Sequence, residues 1–380
     1  MHKYNKHKSK KSAGLLCALL VIILGACKPH NPHTASTPQQ LSYAQGFSIQ
    51  THNAYKEVIV WNPWVEGKIY ARYYLVNSDT VNTPNNGLKV RVPLQKTALS
   101  SSTHVAFHKQ LNQTTPIKGI CSPHLIYDEQ IRQLHTEGKI TDLGDALQLN
   151  IEATLHLMPD AFIAVGYNST DPSISQLQKT NIPVIHTIEW MENSLLARAE
   201  WIKFIAAFYS QDSIANNIFQ NIETNYNQLT QLTHSLQHKP TIMSGGNFRG
   251  TWYMPAGNNY MGQLFHDAGA DYYYAQNQQS GSLPLTIEEV MAHFANADVW
   301  VGSSANSLHE LELMDSKHTL FKAFKEKRIY NFNKRTTPQG ANDFWELGLA
   351  RPDLLLADLI SILHPNLLPN HNTIFTTQLQ

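Results

Sequence analysis

Hydrophobic and polar positions follow two different patterns along the chain, and one pattern gives way to the other near residue 97. Before it, the runs YKEVIVW (55–61), YARYYLVN (70–77) and LKVRVPL (88–94) are rich in valine, tyrosine and other strand-forming residues. Such compositions are typical of β-strands. The pattern predicts that 55–61 and 70–77 form a β hairpin and that 88–94 forms a further, half-buried strand.

Beyond residue 97, short apolar runs alternate with stretches of helical character. AFIAVG (161–166) and PVIHT (183–187) have the composition of buried strands, whereas NIEATLHL (150–157) and YMGQLFHDAGA (260–270) have the composition of helices. Strands that are separated by single helices pair in parallel through right-handed crossovers. The alternation therefore predicts an α/β fold.

The longest helical stretch divides this alternation into two halves. One helix is predicted at 194–209, and a second begins at Asp212, carries an apolar stripe at three-to-four-residue spacing and ends before Pro240. We therefore predict two Rossmann-like lobes joined by one long helix, with an extra N-terminal β hairpin on the first lobe. The predicted boundaries are 1–27 for a signal peptide, 28–42 for a flexible tether, 43–192 for the N-terminal lobe, 193–238 for a helical segment that includes the interdomain helix, and 239–380 for the C-terminal lobe.

The first 27 residues differ from the rest of the chain. Five lysines precede an apolar run, Leu15 to Leu24, which is shorter than a membrane-spanning helix and fits the apolar region of a secretory signal. The run ends in Leu24-Gly25-Ala26-Cys27, which resembles a bacterial lipobox and implies cleavage before Cys27 and lipid attachment to it. The alternatives are an ordinary signal peptide, or a single anchor helix with Cys27 incidental.

Composition and charge narrow the class of protein. Hydrophobic residues make up 42% of the chain and charged residues 15%, which is typical of a globular protein. The 29 basic and 29 acidic residues balance, but the predicted signal peptide holds five of the lysines and no acid, so the mature chain is acidic. This charge argues against a nucleic-acid partner. Cys121 is the one cysteine left after Cys27, so no disulfide is expected within the mature domain.

Two local patterns resemble a known family. NIEATLHLMPDAFIA (150–164) has one counterpart in LTIEEVMA (285–292), which is followed by NADVWVG (296–302). Both look like the unit of glutamate, helix, Pro/Ala-Asp and apolar strand that occurs once per lobe in class III periplasmic solute-binding proteins. These proteins serve ABC importers of iron–siderophore complexes, haem and cobalamin. Further blocks that look like a lipoprotein subgroup of these receptors are Arg198–Phe204, Asn342–Glu346 and Arg351–Leu356.

The resemblance implies that one exposed glutamate per lobe pairs with arginines on the membrane permease. It assigns this docking role to Glu152 and Glu288, with Glu289 as the runner-up in the second lobe. A carboxylate at a helix start is favoured by the positive end of the helix dipole and can accept paired arginine bonds. The alternative is that each glutamate only stabilises its own helix.

The candidate ligand contacts lie in loops that follow the predicted strands. In open α/β sheets, ligands bind beyond the carboxyl ends of the strands. Aromatic side chains offer flat apolar area there, and arginine can pair with anionic groups of a ligand. For Trp190 and Trp345, a place in the core is the alternative. The predicted ligand-binding residues are Ser102, His104, Tyr167, Trp190, Arg249, Trp252, Tyr253 and Trp345.

Metal binding and catalysis carry weaker signals. The 19 histidines are scattered, although His104, His124 and His186 lie near predicted cleft loops, so a zinc or manganese receptor remains an alternative. No nucleophile elbow, P-loop or dinucleotide fingerprint stands in a strand–helix context. We therefore predict no catalytic residue, metal site or cofactor, and a lipid-anchored enzyme on a two-lobe fold is the alternative from another class.

Taken together, the sequence predicts an exported, lipid-anchored substrate-binding protein of an ABC importer. It would face the periplasm or the cell exterior, capture an iron chelate (a siderophore or haem) or cobalamin between its lobes, and deliver that ligand to the permease. A surface scavenger without a permease is a further alternative. The role of the N-terminal β extension, which departs from the common family pattern, is not indicated by the sequence.

Overall fold

The structure of the protein is a computed structural model that describes residues 37–169, 171–303 and 305–380. The predicted signal peptide, the lipid-attachment residue Cys27 and residues 28–36 of the predicted tether lie outside this part of the chain. Among the described residues, no helix is both long and apolar enough to cross a membrane.

An N-terminal sheet of five strands precedes the α/β part of the chain. The strands are β1 (Thr37–Pro38), β2 (Phe47–Thr51), β3 (Lys56–Trp61), β4 (Ile69–Val76) and β5 (Leu88–Arg91). They lie side by side in chain order; β4 and β5 are parallel, and the other neighbours are antiparallel. The predicted hairpin is present as β3 and β4, but the extension is a larger element than a hairpin.

The last residues of the predicted tether are part of the folded structure. The folded domain therefore begins before residue 42, where the sequence analysis had ended the tether. β1 pairs with β2, and the backbone N–H groups of Ser42, Tyr43 and Ala44 donate to the carboxylate of Glu200 at 2.8–2.9 Å. Glu200 is fully buried and pairs with Lys203. Composition could not show this, because backbone groups make the contact with a residue more than 150 positions away.

A second buried carboxylate continues this anchor. Glu192 accepts hydrogen bonds from the backbone N–H groups of Gly46 at 2.8 Å and Gln45 at 3.1 Å, and from the indole N–H of Trp201 at 2.9 Å. The C-terminal segment is held in the same way, since buried Asp358 accepts the N–H groups of residues 374–376. Buried carboxylates therefore fix both ends of the described chain to its centre.

The first lobe is built on a parallel sheet, as the alternating pattern predicts. Its elements are β6 (Thr97–Leu99), α1 (Ser102–Gln110), β7 (Ile117–Ile120), α2 (Glu129–Thr136), β8 (Thr141–Asp142), β9 (Gly144–Asp145), β10 (Gln148–Leu149), α3 (Ile151–Leu157), β11 (Ala161–Val165), α4 (Pro172–Leu177) and β12 (Val184–Thr187). The strand order is β12-β11-β6-β7-β8, with every neighbouring pair parallel. The carboxyl ends of these strands therefore lie at one edge of the sheet.

Three helices follow the first lobe and occupy the centre of the molecule. They are α5 (Leu195–Glu200), α6 (Ile202–Ala207) and α7 (Asp212–His234). Every residue of α5 and α6 is buried, whereas α7 buries one face, which includes Phe219, Ile222 and Tyr226. The Tyr226 hydroxyl donates to Asp267 of the second lobe at 2.7 Å. The predicted long helix between two lobes is thus confirmed as α7.

The second lobe repeats the strand–helix alternation. Its elements are β13 (Ile242–Ser244), β14 (Asn247–Phe248), β15 (Thr251–Pro255), α8 (Tyr260–Asp267), β16 (Ser282–Leu285), α9 (Ile287–Phe294), β17 (Val299–Val301), α10 (Leu308–Met314), α11 (Lys322–Lys325), β18 (Ile329–Asn331), α12 (Pro352–Leu363) and β19 (Thr377–Gln378). β13, β17 and β18 are parallel, and β19 is antiparallel to β18. A separate antiparallel sheet, β14-β15-β16, follows the carboxyl end of β13. The two-lobe α/β prediction is confirmed.

Replacing Glu200 with alanine should loosen the N-terminal sheet. The change leaves three backbone N–H groups and the buried Lys203 without their anion, so the free energy of unfolding should fall by about 3–5 kcal/mol. Urea unfolding measures this loss, and hydrogen exchange should show faster exchange at residues 42–51. Glu312→Ala, at an exposed position on α10, should change stability by less than about 0.5 kcal/mol. Equal effects of the two changes would contradict the anchor.

Candidate functional site

The candidate site is the cleft at the carboxyl ends of the parallel strands. In the first lobe, the loop after β6 enters α1, where the Ser101 side chain accepts the Thr103 N–H. The Thr103 hydroxyl donates to the backbone carbonyl of Trp345 at 2.9 Å. Trp345 lies in a π-helical turn that follows the second-lobe strand β18. This bond brings the second-lobe chain to the carboxyl edge of the first-lobe sheet.

Three predicted aromatic residues are accessible around this edge. Tyr167 follows β11 and is 40% exposed, Trp190 follows β12 and is 36% exposed, and Trp345 is 53% exposed. The rings of Tyr167 and Trp190 lie 5.8 Å apart, and the Trp190 indole N–H donates to the Gly166 carbonyl at 3.1 Å. A pair of this kind offers a ligand two partly desolvated aromatic surfaces whose positions are fixed.

Two other predicted contacts are core residues, which contradicts their assignment to the ligand. His104 is fully buried, its Nε2 lies 2.9 Å from the Thr187 hydroxyl, and burial lowers its pKa to about 3. The burial of the helix explains the error, because residues 103–108 of α1 are all buried and Ser102 at the helix start is half-buried.

Trp252 is the second predicted ligand contact that the structure places in the core. Its ring is fully buried and packs 5.3 Å from the ring of Trp300, and its indole N–H donates to the Ser244 carbonyl. Successive side chains of a strand point to opposite faces, so Trp252 and Tyr253 on β15 cannot both face a ligand. Tyr253 is the outward residue and is 48% exposed.

The hairpin of β14 and β15 presents a charged and aromatic tip. Arg249 and Gly250 both have positive φ, and the Gly250 N–H donates to the Asn247 side chain at 2.8 Å, so the turn is tight. The Arg249 guanidinium lies 5.1 Å from the centre of the Phe248 ring, and Phe248 is 61% exposed. Arg249 is thus exposed, and its guanidinium lies over the ring of its neighbour Phe248.

A charged cluster joins the two lobes beside the cleft, and none of its residues is among the eight predicted ligand-binding residues. Arg335, which follows β18, pairs with Asp343 at 2.7 Å, and its guanidinium lies 5.2 Å from the centre of the first-lobe Tyr127 ring. Lys109 of α1 pairs with Asp128, the N-cap of α2. These groups border a cavity of about 620 Å3. In the sequence, the block Asn342–Glu346, which is rich in charged and aromatic residues, is the feature that could have indicated this cluster.

Glu346 is the centre of this junction. It is buried, and its two carboxylate oxygens accept the backbone N–H groups of Tyr127 at 2.8 Å and Asp128 at 3.1 Å. Burial raises the pKa of Glu346 to about 7, and the neighbouring carboxylates of Asp343 and Asp128 act in the same direction. A second-lobe side chain therefore holds the start of first-lobe helix α2.

The two predicted docking glutamates are exposed on the protein surface, in the first turns of α3 and α9. Glu152 is exposed and follows Asn150, which caps α3. Glu288 is exposed and pairs with Lys317 at 3.0 Å, and this partner lowers its pKa. Glu289 instead closes a capping box with Thr286. Glu289 is therefore engaged by its own helix, whereas Glu288 pairs with a side chain from another segment.

The histidines that made a metal-binding receptor an alternative do not form a metal site in the described part of the chain. Among the described residues, no three histidine, cysteine or carboxylate side chains are placed to hold one metal ion. His186 is buried, its Nε2 lies 3.2 Å from the Gln178 amide nitrogen, and burial lowers its pKa to about 4. His124 lies in the 3₁₀ turn Pro123–Leu125 after β7.

Comparison with known proteins agrees with this architecture. Residues 107–336 match the family described as periplasmic binding protein. The uncharacterised lipoprotein MJ0878 of Methanocaldococcus jannaschii is 28% identical over 295 residues, which cover 75% of this chain and 69% of the relative.

Two solved structures share the fold. The periplasmic haem-binding protein RhuT of Roseiflexus sp. RS-1, in its apo form, superposes with a TM-score of 0.56 at 18% identity, covering 72% of this chain and 99% of its own. The periplasmic vitamin B12-binding protein BtuF of Vibrio cholerae gives a TM-score of 0.52 at 10% identity, covering 71% and 96%.

Stability should depend on the protonation of Glu346. Its carboxyl binds a proton more tightly in the folded state than in the unfolded state, so stability should fall as the pH rises from about 4.5 to 7. Between pH 5 and 7.5 this carboxyl should account for about 2 kcal/mol of lost stability. Urea unfolding of Glu346→Gln should lack that part of the slope, and exposed Glu312→Gln should retain it. An unchanged slope in Glu346→Gln would refute the assignment.

Proposed function

Because this chain belongs to the periplasmic binding protein family, we propose that it is the lipid-anchored receptor of an ABC importer. It captures a small ligand between its lobes and delivers it to the membrane permease. The observation that supports the proposal is the hydrogen bond from Thr103 of the first lobe to Trp345 of the second, which brings an exposed aromatic residue of one lobe to the carboxyl edge of the other lobe's sheet. This role is one of binding and transfer, with no chemical step.

The proposed ligand is an iron chelate, haem or cobalamin. Tyr167, Trp190 and Trp345 offer aromatic area at the strand ends, and Arg249 and Tyr253 lie on the hairpin that follows β13. Such a surface suits a large ligand with apolar faces and anionic groups. The solved proteins of the same fold that bind haem and vitamin B12 are consistent with this class.

The proposed anchor is a lipid on Cys27. The basic stretch, the apolar run and the Leu24–Cys27 motif support it, and so does the relative described as a lipoprotein. An exported protein held by lipid stays close to the permease, which raises its effective concentration there.

The ligand can be identified from natively purified protein by mass spectrometry and visible absorption. We expect a bound chelate, haem or corrinoid, and a melting temperature that rises when the ligand is added back. Trp345→Ala should weaken binding by about tenfold, since it removes an accessible aromatic face. Tyr273→Ala is the matched control, because Tyr273 is exposed near the amino-terminal end of β13. No shift with any chelate, haem or corrinoid would refute the ligand class.

Docking can be tested by reversing the charge of both glutamates. The double variant Glu152→Lys/Glu288→Lys should bind ligand normally but lose most uptake in cells, because arginine pairs on the permease would meet lysines. Glu312→Lys, also on an exposed helix position, should leave uptake intact. Normal uptake by the double variant would remove the docking role.

A further inference from the structure

The N-terminal sheet carries a loop that reaches the candidate cleft. Residues 62–68 connect β3 to β4, and the loop is braced from within. The Asn62 side chain accepts the N–H groups of Trp64 at 2.9 Å and Val65 at 3.0 Å, and the Asn62 N–H donates to the Lys68 carbonyl at 2.8 Å. These bonds hold the backbone of Trp64 in one place.

Trp64 and Tyr70 extend the aromatic pair that follows β11 and β12. The Trp64 ring lies 5.7 Å from that of Tyr70 and 6.2 Å from that of Trp190. The Tyr70 hydroxyl donates to the Tyr167 carbonyl at 3.1 Å. Two aromatic residues of the sheet and two of the first-lobe loops therefore form one continuous group, which we call the aromatic wall (Trp64, Tyr70, Tyr167 and Trp190).

Glycine at position 166 permits this contact. A Cβ atom there would lie 3.1 Å from the Tyr70 ring, which is closer than side chains normally pack. The Gly166 carbonyl also accepts the Trp190 indole N–H. The loop after β11 is thus fitted on one side to Tyr70 of the added sheet and on the other to Trp190.

The Trp64 end of the aromatic wall lies where the two lobes approach each other. A cavity of about 550 Å3 is bordered by Trp64 and Glu66 of the loop, by Ile188 and Met191 beside Trp190, and by Ser280 of the second lobe. Glu192, in the same first-lobe loop, anchors the chain that enters the sheet. The sheet and the cleft loop are therefore joined directly as well as through the wall.

We propose that Trp64 is a ligand-contacting residue and that the N-terminal sheet is a specificity element of the cleft. The aromatic wall offers Trp64 and Trp190 to a ligand with an extended conjugated face, such as a tetrapyrrole or an aromatic chelate, rather than to an aliphatic chelate. Conjugated faces gain from stacking on tryptophan beyond the area they bury. This inference rests on the proposed receptor function and deepens it.

The test uses Trp64→Leu, which keeps an apolar side chain but removes the aromatic face. Dissociation constants are measured by titration with haemin, cobalamin, a ferric catecholate and a ferric hydroxamate. A conjugated ligand that binds the wild type should bind the variant about tenfold more weakly. Trp64→Phe should recover most of that loss, and thermal melting checks that both variants fold.

Tyr55→Ala is the matched control, since Tyr55 is an aromatic residue of the same sheet at the opposite end of β3. It should change affinity less than twofold. If Trp345→Ala weakens binding and Trp64→Leu does not, the sheet has no part in recognition, although the receptor function stands. Wild-type binding of the hydroxamate alone would also overturn the inference. Binding of none of the four probes would refute both proposals.

Discussion

Two buried glutamates, Glu192 and Glu200, collect backbone N–H groups from the segment that enters the N-terminal sheet, and the placement of that sheet depends on them. A carboxylate removed from water is costly unless its oxygens are fully hydrogen bonded. Here that need is met by backbone groups of a segment whose Tyr43 and Ala44 side chains also pack on the hydrophobic core. The loop that carries Trp64 is thereby held against the first lobe, although the sheet's strands pair with none of the strands of the first-lobe sheet.

The junction between the lobes uses the same kind of contact for a different purpose. Glu346 takes the N–H groups at the start of α2, while Arg335 bridges from Asp343 to the Tyr127 ring. Together with α7, these contacts oppose a large rotation of one lobe against the other.

The sequence predicted the architecture better than the site. Alternating strand and helix patterns and the stripe after Asp212 depend on local composition, and they identified the two lobes and α7. The site depends on which individual side chains are buried. On β15, Tyr253 is outward and its neighbour Trp252 is in the core; on α1, Ser102 is half-buried at the helix start and His104 is in the core. The anchoring of residues 42–46 and the contact of Trp64 with Trp190 join positions more than 120 apart, so no local pattern could reveal them.

The alternation along β15 separates two kinds of evolutionary change. Trp252 faces the packed interior with Trp300, and Tyr253 faces outward beside it. Mutations at the outward position leave the interior packing untouched, so this part of the surface can vary without first compensating for lost stability. A strand divided in this way lets surface chemistry diverge while the overall architecture persists in very distant descendants.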